Sequence, residues 1–257
     1  MNFVKTAFLP QNDVEYCLAG NGVIPFENEL LKLGITVIKT NENRHISGKI
    51  SNHADLAVNY CGNGLIFADN SQKDLAKCLQ EFGFNISFIN ESVSGEYPSD
   101  CLLNCIFSDK YLICNKKCTS ANLLNYAVEH GKKVINVKQG YVKCSVCPIT
   151  ETAYITDDES IYKALNQEKL DVLLIKKGSV RLKGFDYGFF GGCCGKISDK
   201  KIVFFGDIKS HSCYDNIKSF TDNYKIDLIS LGNGVLTDIG SLIPISEKEQ
   251  QNENKMG

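Results

Sequence analysis

The stretch DLAVNYCGNGLIFADN, residues 55 to 70, decides the fold because its pattern recurs along the chain. It reads as a short apolar strand, a turn at CGNG, and a second apolar strand ending in Asp or Asn. An amphipathic helix follows in SQKDLAKCLQEFG (71 to 83), stopped by a glycine, and then a third strand in FNISFIN (84 to 90). The same order returns in DCLLNCIFSDKYLICN (100 to 115), TSANLLNYAVEHG (119 to 131) and KKVINV (132 to 137). It returns again in CSVCPITETAYITD (144 to 157), DESIYKALNQ (158 to 167) and DVLLIK (171 to 176). A fourth copy is GFFGGCCGKISDKKIVFFGD (188 to 207), a helix around HSCYDNIKSF (211 to 220) and the strand IDLIS (226 to 230). Corresponding points lie roughly 45 residues apart, the period of a repeat architecture.

The two ends supply the parts of a fifth copy. GNGVLTDIGSLIPI (232 to 245) offers two strands without a helix, whereas PFENELLKLG (25 to 34) and ITVIK (35 to 39) offer a helix and a strand. Joining them closes a ring and removes exposed strand edges, a physical reason for splitting one unit between the termini. The expected architecture is therefore one α/β domain over residues 1–245, a propeller of five ββαβ repeats closed by the N- and C-terminal segments. The remaining SEKEQQNENKMG, 246–257, reads as a disordered polar tail.

Composition narrows the function. Hydrophobic residues make up 43% and charged residues 23% of 257, which is ordinary for a folded globular protein. The net charge of −2 is spread along the chain, so no basic face invites nucleic acid. Apolar runs such as DVLLI and KIVFFG are far too short to span a bilayer, and no membrane partner is expected. The start MNFVKTAFLPQNDVEY lacks an apolar export segment with a cleavage site, which suggests a cytoplasmic protein. In that compartment the twelve cysteines read as reduced, mostly small buried side chains.

Five ββαβ units closed on themselves resemble the pentein fold of the guanidino-modifying enzymes, which include arginine deiminase, agmatine deiminase and dimethylarginine dimethylaminohydrolase. DCLLNCIFSDKYLICNKKCTSAN looks like a hairpin of the last of these, opening on an acidic residue. YVKCSVCPIT looks like the strand that bears the family's catalytic histidine, and GVLTDIGSLIPI like the C-terminal strand that bears its nucleophilic cysteine. The resemblance implies a thiolate attacking a guanidinium carbon, a histidine moving protons, and carboxylates holding the cation. It places Asp238 where the cysteine would fall, Tyr141 where the histidine would fall, and Asp100 at the substrate-holding acid. The expected function is binding or modification of a small cationic guanidino or amidino ligand in an axial pocket, without the usual Cys/His pair. If catalytic, the activity would be amidinohydrolase- or deiminase-like on a C–N bond. The alternatives are a noncatalytic interaction protein on the same fold and a cysteine-based metal-binding variant.

The candidate catalytic residues are thus Asp238, His53, Cys193 and Cys194, and the candidate ligand-binding residues Asp55, Asp100 and Tyr141. His53 and Asp55, in NHADLAV, stand two apart, which on a strand would point them to one side. Cys193 and Cys194, in GGCCGKI, fall one unit before the position of the resembled thiol, leaving them a local chemistry or a packing role. CSVC spaces Cys144 and Cys147 as in zinc and iron–sulfur sites, with Cys101 and Cys105 at a comparable place one repeat earlier. A lone CxxC is a weak signal, so buried thiols are expected and no metal or cofactor is assigned.

Overall fold

The computed structural model describes residues 1–249. Among them five three-stranded sheets share one plan: a middle strand pairs antiparallel with the strand before it and parallel with the strand after it. In the first, Val58–Gly62, Leu65–Ala68 and Asn85–Phe88 form the sheet, and the helix Lys73–Glu81 makes the crossover. The second has Ile106–Phe107, Tyr111–Cys114 and Lys133–Asn136 with helix Ala121–Glu129. The third has Val146–Thr150, Ala153–Thr156 and Asp171–Leu174 with helix Glu159–Gln167. The fourth has Cys194–Ser198, Lys201–Phe205 and Asp227–Leu231 with helix Tyr214–Asn223.

The burial pattern explains why the repeat was readable. First and middle strands are covered on both faces, so they appear as continuous apolar runs such as LIFA and KIVFF. Third strands are half exposed and more polar. The helices bury one stripe at three- and four-residue spacing, for example Leu75, Ala76 and Leu79, or Ile161 and Leu165. Asp158 starts its helix by accepting from the backbone N–H groups of Ser160 and Ile161.

The fifth sheet differs from the expectation in one strand. Ile243–Glu247 is its first strand, but the middle strand is Val14–Ala19, followed by helix Glu27–Lys32 and strand Thr36–Lys39. Residues Leu236–Thr237, expected in that hairpin, instead pair in parallel with Val180–Arg181. VEYCLA supplies a buried face through Val14, Cys17, Leu18 and Ala19, which the two-residue Leu236–Thr237 segment cannot offer.

The expected boundary at 245 also moves. Ser246 and Glu247 are buried and belong to the last strand, while the expected tail from 250 onward lies outside the described residues. Oε2 of Glu247 accepts from the backbone N–H groups of Gln11 (2.6 Å) and Asn12 (2.9 Å), fastening the N-terminal loop to the C-terminal strand. No helix among the described residues is long and apolar enough to cross a membrane.

Glu247→Ala removes two charge-assisted hydrogen bonds and strands two backbone donors. We expect a loss of about 2–4 kcal/mol, read as a lower urea midpoint with an unchanged denaturant slope.

Candidate functional site

Short helical turns, rather than strands, deliver the polar residues to the centre. Ala54–Ala57 precedes the first strand of its sheet, Val142–Ser145 does the same in the third, and a 3-10 turn at Gly191–Cys193 does so in the fourth. The strand-period reason for pairing His53 with Asp55 is therefore corrected: His53 caps a turn and Asp55 lies inside it. Tyr141 caps the corresponding turn before Cys144. The turn geometry nevertheless brings His53, Asp55 and Cys144 together, with one donor atom of each within 4.8 Å of the others.

All five units contribute to one buried hydrogen-bonded cluster. Oδ2 of Asp55 accepts from Oγ of Ser241 at 2.6 Å and from the thiol of Cys144 at 3.1 Å. Nδ2 of Asn104 donates to the Cys144 sulfur (3.1 Å) and to the Asp55 carbonyl (3.1 Å). Nζ of Lys143 donates to Oγ of Ser241 (3.0 Å) and to the Gly191 carbonyl (3.2 Å), and lies 5.3 Å from the centre of the Phe8 ring. Lys143 is only 3% exposed and Asp55 only 1%, so an ammonium and a carboxylate are held out of water with one hydroxyl between them. Oδ1 of Asp55 is buried without a hydrogen-bond partner.

Beside the cluster lies a cavity of about 300 Å³ lined by His53, Tyr141, Cys144, Phe185, Tyr187, Phe189 and Asp238 among others. Asp238 is fixed in its wall. Its Oδ2 accepts from the Phe189 N–H (2.9 Å), its Oδ1 accepts from the Gly240 N–H (3.0 Å), and Nδ1 of His53 is 3.9 Å from Oδ1. Burial pushes the Asp238 carboxyl above its usual range, His53 draws it down, and the neighbouring Asp55 charge adds to the rise. Gly192 makes room for this carboxylate: a Cβ there would lie 2.0 Å from Oδ1.

Tyr141 donates its hydroxyl to Oδ2 of Asp100 at 2.5 Å. Burial and then that carboxylate push the phenol well above its ordinary value, so Tyr141 is a neutral donor in the cavity wall. Asp100 stands behind it, and its own carboxyl is raised by burial. Burial, followed by the charges of Asp55 and Asp238, likewise keeps the Cys144 thiol protonated, consistent with its hydrogen bond to Asp55.

Cys193 and Cys194 are placed differently. They are buried in the apolar core with Phe190 and Phe204, outside the cavity lining, and their thiols donate to the carbonyls of Phe190 (3.1 Å) and Gly191 (3.7 Å). Cys147 is buried in the same apolar cluster as Cys194, whereas Cys144 faces Asp55, so CSVC does not act as a pair. The residues that sequence reasoning passed over are Asn104, Lys143 and Ser241. Lys143 had a signal: a lysine in the apolar run YVKCSVCPI must find a buried partner or leave the run.

Comparison with solved structures places the fold. An inosamine-phosphate amidinotransferase from Streptomyces griseus matches with a TM-score of 0.61 at 11% identity, over 96% of this chain and 98% of that one. An agmatine deiminase from C. jejuni matches at 0.55 and 12%, over 95% and 96%. A citrulline complex of dimethylarginine dimethylaminohydrolase from Pseudomonas aeruginosa matches at 0.55 and 10%, over 86% and 92%. The chain has the α/β pentein fold of the guanidino-modifying enzymes. By sequence it belongs to the family described as Family of unknown function (DUF6873), whose model spans residues 23–243. No curated protein matches the chain in sequence.

Two measurements check the support beneath the cavity. Oδ2 of Asp157 accepts from the Phe190 N–H, and burial pushes its carboxyl up to about 7 against the pull of that N–H and of Lys177. The folded state then holds a proton that the unfolded chain has released between about pH 4 and 7, so this group makes stability fall as pH rises through that window. Asp157→Asn should flatten that part of the pH–stability curve, with a difference on the order of a few kcal/mol between its ends. Gly192→Ala should cost about 3 kcal/mol or more by driving a methyl group into Asp238, whereas Cys193→Ala should cost about 1 kcal/mol; thermal unfolding distinguishes the two.

Proposed function

We propose that the five sheets form a closed five-repeat ring around the buried cluster, and that the cavity at its centre binds a small organic cation of the guanidinium or amidinium class. The observation that carries this reading is the Asp238 carboxylate set in a wall that also presents Tyr141, Phe185, Tyr187 and Phe189. A flat, delocalised cation stacks on aromatic faces and donates to a carboxylate, and this wall supplies both. The charge balance agrees. Within the buried cluster, Asp55 and Asp238 bring two carboxylates against the ammonium of Lys143, which leaves charge for a monocation beside Asp238.

In this reading Asp238 is the direct acceptor, and His53 sits beside it as a positioning residue. Asp100 acts through the Tyr141 hydroxyl, and Asp55 contributes charge from beneath. Cys193 and Cys194 pack the core under Gly192 and take no part. The resemblance would put Asp238 and Tyr141 at the thiol and histidine positions of the catalytic relatives. A buried carboxylate held by two backbone donors and a neutral phenol suit holding a cation better than attacking its carbon. The twelve free thiols fit a reducing cytoplasm.

Calorimetric titration with agmatine and with guanidine tests the proposal. Saturable binding is expected, weakened about tenfold or more, or at least 1.4 kcal/mol, in Asp238→Asn, with a smaller loss in Tyr141→Phe. Equal affinity in wild type and Asp238→Asn would sink the proposed site. Release of ammonia or urea that disappears in Cys144→Ser would replace the binding reading with a catalytic one.

A further inference from the structure

We infer that His53, Asp55 and Cys144 form a binding site for one divalent transition ion of the zinc class, reached from the cavity. One imidazole nitrogen, one carboxylate oxygen and one sulfur already lie within 4.8 Å of one another, and all three residues are buried. At ordinary zinc bond lengths such ligands stand roughly 3–4 Å apart, so the site closes on an ion by a movement of about 1 Å. The Asp55 sulfur contact, at 3.1 Å, needs none.

Two observations independent of this proximity point to an ion. Asp55 buries Oδ1 with no hydrogen-bond partner, a costly arrangement that a metal bond would satisfy. The surrounding groups are also those that steady metal ligands. Ser241 holds the Asp55 carboxylate, Nδ2 of Asn104 donates to the Cys144 sulfur, and Oδ1 of Asn104 accepts from the Cys144 N–H at 3.2 Å. Asp238 flanks the imidazole at 3.9 Å.

The donor set selects the ion. A thiolate with an imidazole and one carboxylate favours zinc, cobalt or iron(II) over magnesium or calcium, which prefer oxygen donors. Binding breaks the Cys144 S–H bond, sends the proton to solvent and forms a sulfur–metal bond, with no change of oxidation state. Three protein ligands leave one tetrahedral position, and because His53 and Cys144 line the cavity that position is accessible to a bound molecule or water. This site differs from the cysteine-only arrangement suggested by CSVC, since Cys147 lies in the apolar cluster with Cys194 and outside the ligand group.

The proposal does not depend on the organic-cation reading, although the two draw on the same negative charge. The test is anaerobic titration of the full chain with cobalt(II). One equivalent should produce a thiolate-to-cobalt charge-transfer band and the visible bands of a tetrahedral ion, and zinc should displace it. Cys144→Ser should abolish the charge-transfer band. His53→Ala and Asp55→Asn should weaken binding about tenfold or more, and Cys147→Ser should leave the spectrum unchanged. A band that survives in folded Cys144→Ser, or no band in wild type at stoichiometric cobalt, overturns the site. Should Cys144→Ser not fold, the His53→Ala affinity decides: wild-type affinity there overturns it. Cobalt without guanidine binding would defeat only the organic-cation reading, and guanidine without cobalt binding only the metal site.

Discussion

The 2.6 Å hydrogen bond from Ser241 to Asp55 joins residues 186 positions apart and ties the C-terminal segment to the first unit. The rest of the centre is organised around it. Asp55 also receives Cys144 from the third unit, Ser241 also receives Lys143, Lys143 reaches Gly191 in the fourth, and Asn104 of the second bonds to both Asp55 and Cys144. A buried carboxylate and ammonium are tolerable only while such contacts last, because each ion alone costs several kcal/mol to desolvate. The hydroxyl between them makes the arrangement a network, in which removal of any member leaves another buried group unsatisfied.

Much of the fold was legible in the sequence because burial writes itself differently on each strand. Covered first and middle strands appear as apolar runs, while the half-exposed third strands and one-sided helices show their own periods. The fifth unit was only partly legible. Val14–Ala19 is separated from its helix by the 3-10 segment Asn21–Phe26, so VEYCLA does not look like the middle of a ββαβ copy. Its partner strand is also more than 220 residues away, and no local pattern specifies that pairing.

The site was legible residue by residue but not as an arrangement. His53 and Asp55 stood out at the mouth of a first strand, and Tyr141 and Asp238 through the resemblance; all but Asp55 line the cavity. Asp100 reaches the cavity only through Tyr141. What the sequence hid was the helical turn before three of the first strands, because short turns such as ADLA and VKCS have too few residues to display a period. In GGCCGKI the cysteines attract notice, yet the glycines meet the steric demand. A Cβ at Gly191 would lie 2.3 Å from the Val146 carbonyl oxygen, and one at Gly192 would strike Asp238. Reactive residue types advertise themselves in a sequence, whereas the small residues that let them approach do not.

The charge of the centre sets what it can accommodate. Two carboxylates stand with Lys143 in the cluster, and burial raises the Asp238 carboxyl, with the nearby Asp55 charge adding to the rise. The proposed guanidinium-type monocation would relieve that charge from the cavity side, against the aromatic residues next to Asp238. The proposed divalent ion would relieve it at His53, Asp55 and Cys144, adding two charges while releasing one thiol proton, which moves the site by the same net unit. The two occupants therefore satisfy one electrostatic requirement by different routes. On this electrostatic ground, binding of either proposed occupant would lower the drive for the other.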